Sequence, residues 1–375
     1  MTRLVFTSLS LLAVSAGFAL GDSMNNYTQT NLTSDLPGLA AHQDPNLVNP
    51  WGLVAGPSTP FWVSDNGSGL STLYDGTGAA LPLVVNIPAP SRATGNGAPT
   101  GVVFNSSNSF GGAHFIFSTE NGTIASWSGG TSAVQQADTG AGSVYKGLAI
   151  GNNGTSDLLY AANFRAGKVD VFNSSFAQTS VTGAFVDPNL PSGYAPFDIQ
   201  NIGGKLYVTY ALQDADKKDD VAGAGHGFID VFDENGKLLN RLVSQGQLNS
   251  PWGLALAPSK FGAFSSDLLV GNFGDGTINA YDPLNGGFLG TLNNPNGTPI
   301  VNDGLWALSF GNGAHSQGVD SLFFTAGIAG PGGAVEDNGL FGSISTTTPE
   351  PGSVLLVAVG FGLLLFGLKR RRLTA

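Results

Sequence analysis

The strongest constraint on this chain is a repeat. Between residues 49 and 346 a short motif returns about every 50 residues. Its clearest copies are Asn49-Pro50-Trp51-Gly52-Leu53-Val54 and Ser250-Pro251-Trp252-Gly253-Leu254-Ala255. Weaker copies lie at Ala98–Val102, Val144–Leu148, Ala195–Ile199 and Gly304–Leu308, which makes six. A second element follows each copy. Phe61–Asp65 leads through a Gly-rich turn into Leu70–Asp75, and Leu268–Asn272 leads through Phe273-Gly274-Asp275-Gly276 into Thr277–Asp282, with the same spacing over 15 residues. Shorter or longer versions pair Phe115–Thr119 with Thr123–Trp127, Leu159–Asn163 with Lys168–Asn173, Leu206–Tyr210 with Gly227–Phe232, and Leu322–Ala326 with Leu340–Ser345.

Apolar runs that alternate and are bounded by Gly, Asn and Asp are strand and hairpin signals. A fourth strand fits in Leu81–Ile87, Ser132–Ala137, Thr179–Phe185, Leu238–Leu242 and Phe288–Leu292. Outside the termini no segment of useful length has helical periodicity. Units of four strands at a fixed period are the blades of a propeller. The expected fold is therefore all-β, a six-bladed β-propeller over residues 22–346, with seven blades as the alternative count. A β-sandwich would not explain six repeats. The sixth unit lacks a fourth strand, which Tyr27–Asp35 can supply to close the ring. Gly is 55 of 375 residues, charged residues are 11 % and hydrophobic ones 42 %. Together these describe a turn-rich globular chain with enough apolar content for a core.

The two ends read differently. Arg3, the apolar run Leu11–Leu20 and a small-residue cleavage pattern at Gly17-Phe18-Ala19 or Ala19-Leu20-Gly21 precede a polar stretch, the order of a secretory signal peptide over residues 1–21. At the other end come Pro349-Glu350-Pro351, the 16 uncharged residues Ser353–Leu368, and Lys369 with Arg370, Arg371 and Arg372. As a transmembrane helix that apolar run spans roughly 24 Å, short for a hydrocarbon core of about 30 Å. The basic cluster after it favours the cytoplasmic side. The triplet, apolar run and Arg-rich end together resemble a PEP-CTERM sorting signal, here residues 347–375. That resemblance implies an exosortase-type processing enzyme at the membrane. It also implies export to the cell envelope, surface or exterior, with the chain membrane-anchored transiently or stably.

The repeat region resembles propellers of the general NHL or SMP-30-like kind. Asn49–Leu53, the run Gln213–Gly223 and Asp337–Gly342 narrow this to a family of exported bacterial propeller proteins of unknown function, some with PEP-CTERM tails. The likeness spans residues 27–346. It implies fold and export but carries no activity.

Composition excludes several chemistries. There is no Cys, so no disulfide framework, thiolate metal site or Cys nucleophile. A net charge of −11 argues against nucleic acid. No Gly-x-Ser-x-Gly elbow, Walker loop or His-Glu-x-x-His is present, and no catalytic residue is assigned. In a propeller, the loop entering the innermost strand and the loop joining strands two and three share one face. The former brings together Trp51, Thr100, Lys146, Phe197, Trp252 and Trp306. This ring reads either as an aromatic-lined channel mouth that binds an apolar or sugar ligand, or as packing between blades. The latter loops bring Asp65, Asn66, Glu120, Asn121, Asn163, Arg165, Asn272, Asp275, Asp337 and Asn338, which read first as turn formers.

The longest insertion, Ala211–His226, carries Asp214, Asp216, Asp219 and Asp220 beside Lys217 and Lys218. It is either a solvated charged loop or a Ca²⁺ loop over the channel mouth. It is not an EF-hand, because Lys218 stands where a ligand is expected. The SMP-30 resemblance implies a metal-dependent lactonase or esterase. This chain departs from that pattern, since Trp51 and Gly52 occupy the place of the usual Glu. The inner strands are nearly all Gly, Leu, Val, Ala and Trp, which favours a binding module for a polysaccharide or envelope protein over an enzyme.

Overall fold

The computed structural model describes residues 25–347. The expected signal peptide (1–21) and nearly all of the sorting tail, including Pro349, Glu350, Pro351, Arg370, Arg371 and Arg372, lie outside the described residues. Among the described residues no helix is long and apolar enough to cross a membrane.

Six antiparallel sheets form the six blades of an all-β propeller. The innermost strands are, in order, Pro50–Val54, Pro99–Phe104, Tyr145–Asn152, Tyr194–Ile202, Pro251–Leu256 and Leu305–Phe310, in blades I to VI. Each is followed outward by two further strands, and in blades I to V by a fourth. The sixth blade is completed from the other end of the chain. Tyr27–Ser34 pairs antiparallel with Leu340–Thr346, and His42–Gln43 adds a short parallel edge. The Tyr27 side chain is fully buried, and its hydroxyl donates to the Phe261 carbonyl at 3.0 Å. Closure therefore joins the two ends of the propeller both by ladder and by core.

Some outer strands are shorter than the sequence suggests. The fourth strand of blade III is Gln178–Thr179 only. Ala184 and Phe185 have positive φ, which ends the extension. The Phe185 ring instead packs against Tyr160 and Phe232, between blades III and IV. In blade I the fourth strand is Val85–Asn86.

Every innermost strand slips by one residue against its neighbour at the same place. Pro50 pairs with Asp65 but Leu53 with Val63, and the same β-bulge recurs in the other five blades. The second bulge position is Gly52, Gly101, Gly147, Asp198, Gly253 and Ala307. A bulge there turns the preceding side chain toward the axis. It also presses the strand against the next blade. A Cβ on Gly52 would come within 2.5 Å of the Thr100 carbonyl oxygen, and one on Gly101 within 2.5 Å of the Leu148 nitrogen. Gly147 and Gly253 are crowded in the same way by Asp198 and by the Trp306 carbonyl. Hydroxyls complete these joints. Thr325 Oγ1 accepts from the Ala307 amide at 3.1 Å and donates to the Trp51 carbonyl of the next blade at 2.6 Å. Thr100 Oγ1 donates to the Tyr145 carbonyl at 2.9 Å.

Apolar clusters fill the seams between blades. Trp62 and Phe117 belong to the seam between blades I and II, Leu159 and Phe172 to that between II and III, and Phe324 and Ile344 to that between V and VI. Gly101→Val is expected to destabilise the domain by about 1–3 kcal/mol, the usual cost of overpacking. Gly142→Ala, where a Cβ meets nothing within 4 Å, serves as the control and should be near neutral in urea unfolding.

Candidate functional site

The ring predicted from the repeat does converge on the axis, as a packed plug. Trp51 stacks on Trp306 with ring centroids 3.5 Å apart, and Trp252 meets both edge-on at 6.2 and 5.7 Å. Phe273 stacks on the other side of Trp306 at 4.1 Å, and Phe197 joins at 5.9 Å. Trp51 and Trp306 are each 1 % exposed, Trp252 4 % and Phe197 0 %. In this arrangement the indoles meet one another and lie buried at the axis. The Trp306 indole donates to Asn49 Oδ1 at 3.1 Å, whereas the Trp51 and Trp252 indole nitrogens have no hydrogen-bond partner. Asn49 itself sits at positive φ, a conformation its short polar side chain tolerates. Its Nδ2 donates to Glu336 Oε1 at 3.1 Å.

Lys146 closes the plug. Its side chain is only 2 % exposed. The ammonium lies 4.7 Å from the Trp51 ring centroid, donates to Glu120 Oε1 at 2.6 Å and reaches Asp219 Oδ1 at 3.3 Å. A buried ammonium is costly unless paired and hydrogen-bonded, and here it has two carboxylates and an aromatic face. Burial opposes ionisation of Glu120, but Lys146 and Lys218 outweigh it and hold the carboxyl below its usual range. Burial likewise opposes the charge on Lys146, but Glu120 and Asp219 outweigh it and raise the ammonium pKa. Asn66 Nδ2 supports the far oxygen of Glu120 at 3.3 Å. Glu336 and Asp220, further from a cation, are both pushed up by burial.

This pairing also places the long insertion. Asp219 is drawn in to Lys146, so the Ala211–His226 loop is pinned over the axis. Asp214 turns back on its own loop and accepts from the Lys218 amide at 2.9 Å. Asp216 is exposed, and one oxygen of Asp220 is buried without a partner. Asp219 and Asp220 thus both feel the Lys146 charge, whereas Asp214 bonds within its own loop and Asp216 is exposed. Among the described residues no group of three or more His, Asp or Glu is arranged to hold a metal ion. The cation this loop meets is the ammonium of Lys146, through Asp219. The turn residues likewise bond to nearby backbone. Asp275 Oδ1 accepts from the Thr277 amide at 3.1 Å, Asn163 Oδ1 from the Ala166 amide at 3.1 Å, and Asn121 Oδ1 from the Ala98 amide at 2.7 Å.

On the other side of the plug the axis opens into a cavity of about 370 Å³. Leu53, Val102, Leu148, Ile199, Leu254 and Leu308 contribute to its wall, one from each blade, and Trp252 reaches into its lining. Asp198 is the single titratable residue among those lining it. It is 6 % exposed and has no ion pair among the described residues, and burial raises its pKa to about 7 against one favourable amide, that of Ile199. Asp198 and Glu336 were not singled out from sequence. For Asp198 the signal is present in the repeat itself, an acidic residue where the other five copies carry Gly or Ala.

No family model matches the chain. It is 34 % identical over 340 residues to the uncharacterized protein R648 of Acanthamoeba polyphaga mimivirus, covering 85 % of this chain and 79 % of that one. It is 34 % identical over 314 residues to the uncharacterized protein L690 of the same virus, covering 79 % and 80 %. The chain belongs to one family with these proteins. Among solved structures it is similar to a glucose dehydrogenase, with a TM-score of 0.53 and 12 % identity over 86 % of this chain and all of that one. It is also similar to a catalytically inactive virginiamycin B lyase from Staphylococcus aureus solved with quinupristin, with a TM-score of 0.51 and 11 % identity over the same shares. At such identities the likeness is one of fold alone.

Asp198 binds its proton more tightly in the folded chain than in the unfolded one. The folded state therefore holds the extra proton between about pH 4 and pH 7, and this group's contribution to stability falls as pH rises through that window. Asp198→Asn removes the cost. The variant is expected to be more stable than the parent at pH 8, by on the order of 2–4 kcal/mol, with the gap closing by pH 4. Urea unfolding at the two pH values measures it, and a parent chain more stable at pH 8 would contradict the burial argument.

Proposed function

We propose that this protein is a non-catalytic binding module of the cell envelope or extracellular matrix. Its contact face is the end of the propeller that carries the Asp214–Asp220 loop. The observation that carries this reading is the closure of the axis at that end by Lys146, Glu120 and the Trp51–Trp306 stack. A sealed axis leaves no cleft there in which a substrate would meet paired acid and base. What it leaves is a firm platform with Asp216, Lys217, Lys218 and Asp219 exposed on it. The Asp219–Lys146 contact holds the loop in place before a partner arrives, which lowers the ordering cost of binding. A polysaccharide or an envelope protein suits such a polar, mixed-charge face. The alternative of a metal-dependent lactonase is less supported, because the carboxylates that gather at this end, Glu120 and Asp219, are paired with the Lys146 ammonium. Propellers host many activities, so the fold itself decides nothing here.

Export belongs to the same proposal and rests on the terminal sequences alone: the signal-peptide order in residues 1–21 and the PEP-CTERM-like order in 347–375. In a host with an exosortase-type protease, the full chain is expected in the envelope fraction with its first residues removed. Deleting residues 349–375 should shift it to the medium or the periplasmic fraction. Retention in the cytoplasm with an intact Met1 would contradict export. For the contact face, the Lys217→Ser variant is expected to bind immobilised envelope polysaccharide or protein fractions at least tenfold more weakly at an unchanged melting temperature. Lys217 is exposed, and a substitution at such a site usually changes stability by no more than about 0.5 kcal/mol. Undiminished binding would remove the loop from the interface.

A further inference from the structure

Asp198 stands at the one bulge where a carboxylate replaces Gly or Ala. The neighbouring Gly147 has no side chain, and a Cβ built there would collide with Asp198 Oδ1. The carboxylate therefore occupies space that a larger residue at 147 would fill. It is more than nine-tenths buried, lacks any ion pair among the described residues, and belongs to the lining of the open half of the axial channel. Around it the wall is largely aliphatic, with Trp252 among the lining residues and Gln200 and Asn201 further along the strand. A buried carboxylate without a counter-ion is costly, and here the cost is borne in a cavity large enough for a small molecule, the usual range being about 300–1,000 Å³.

We propose that this half of the channel is a binding site for a small organic cation, an alkylammonium with a compact apolar body, whose charge pairs with the Asp198 carboxylate. The cavity's composition selects this class. An anion would meet Asp198 unfavourably, and a neutral ligand would leave the carboxylate without compensation. A hard metal ion wants six to eight oxygen ligands, whereas the lining offers one carboxylate. An ammonium needs one such partner and leaves its carbon chain against Leu53, Leu148 and Leu254. The site lies on the other side of the plug from the loop face proposed above and does not depend on it.

Few charges bear on Asp198. On the adjoining inner strand, Lys146 is engaged with Glu120 and Asp219. In its own blade, Lys205 is exposed, Tyr194, Tyr207 and Tyr210 pack into the seams with the neighbouring blades, and Asp230, on the third strand, is paired with Arg241. The inner strands of blades I, II, V and VI carry no titratable residue. Glu234 accepts from the Asn152 amide and from Asn201 Nδ2, near the open end. The site is thus expected to switch with the protonation of Asp198, which burial places at about 7.

The test uses the full chain and two probes, butylammonium chloride and its uncharged near-isostere 1-pentanol, titrated by calorimetry or ligand-observed NMR. At pH 8 butylammonium is expected to bind at one site, at least tenfold more tightly than 1-pentanol. Asp198→Asn should lower that affinity at least tenfold, and so should moving the parent chain to pH 5.5, an arm that holds whether or not the variant folds. Equal binding of the two probes at pH 8, butylammonium affinity unchanged in Asp198→Asn, or affinity undiminished at pH 5.5 would each overturn the proposal. So would the absence of saturable butylammonium binding to the folded parent chain at pH 8.

Discussion

Six strands meet on one axis, and in four of the six the backbones come so close that the second residue of the bulge has almost no room for a side chain. Gly52, Gly101, Gly147 and Gly253 each face backbone or side-chain atoms of the next blade at less than the distance a Cβ needs. This is a packing constraint before it is a functional one. It explains why the Trp-Gly pair recurs: the bulge turns the Trp inward, and the Gly permits the neighbouring strand to approach. Hydroxyls on Thr100 and Thr325 then satisfy polar groups that the bulges expose, and they tie one blade to the next.

The same geometry divides the axis into unlike halves. On one side, large residues from four blades stack into a plug, and a single ammonium caps it with two carboxylates. On the other side the strands diverge and leave a cavity with one carboxylate. Each half isolates a charge from water, but only Lys146 is compensated from within the chain. Asp198 is not, and that asymmetry separates a structural ion pair from a site that invites a ligand.

Much of the architecture was legible in the sequence because it is repeated. Period, strand alternation and Gly turns define six blades, and the missing fourth strand of the last blade identifies Tyr27–Ser34 as its closure. The ring of Trp51, Lys146, Phe197, Trp252 and Trp306 was also legible as a set. Its condition was not, because whether indoles line a channel or fill it depends on the radius of the barrel of inner strands, which no local pattern encodes. The acidic loop read either as a solvated charged loop or as a Ca²⁺ site, and its charge alone does not choose between them. The missing partner was Lys146, distant in sequence and brought beneath the loop by the blade arrangement. Asn49 and Glu336 escaped for the same reason, their roles being fixed by contacts 287 residues apart.

Membership of one family with two mimivirus proteins fixes kinship without assigning chemistry, so the account rests on the axis itself. Its central claim is that Lys146 and Glu120 seal one end of the channel as a mutually dependent pair. The most direct measurement is a double-mutant cycle of Lys146→Met and Glu120→Gln, read as unfolding free energy in urea at pH 7. The account predicts a coupling of about 1.5 kcal/mol or more, with the double variant less destabilised than the sum of the single ones. Additivity within about 0.5 kcal/mol would contradict it, and would mean that the plug holds without its charged cap.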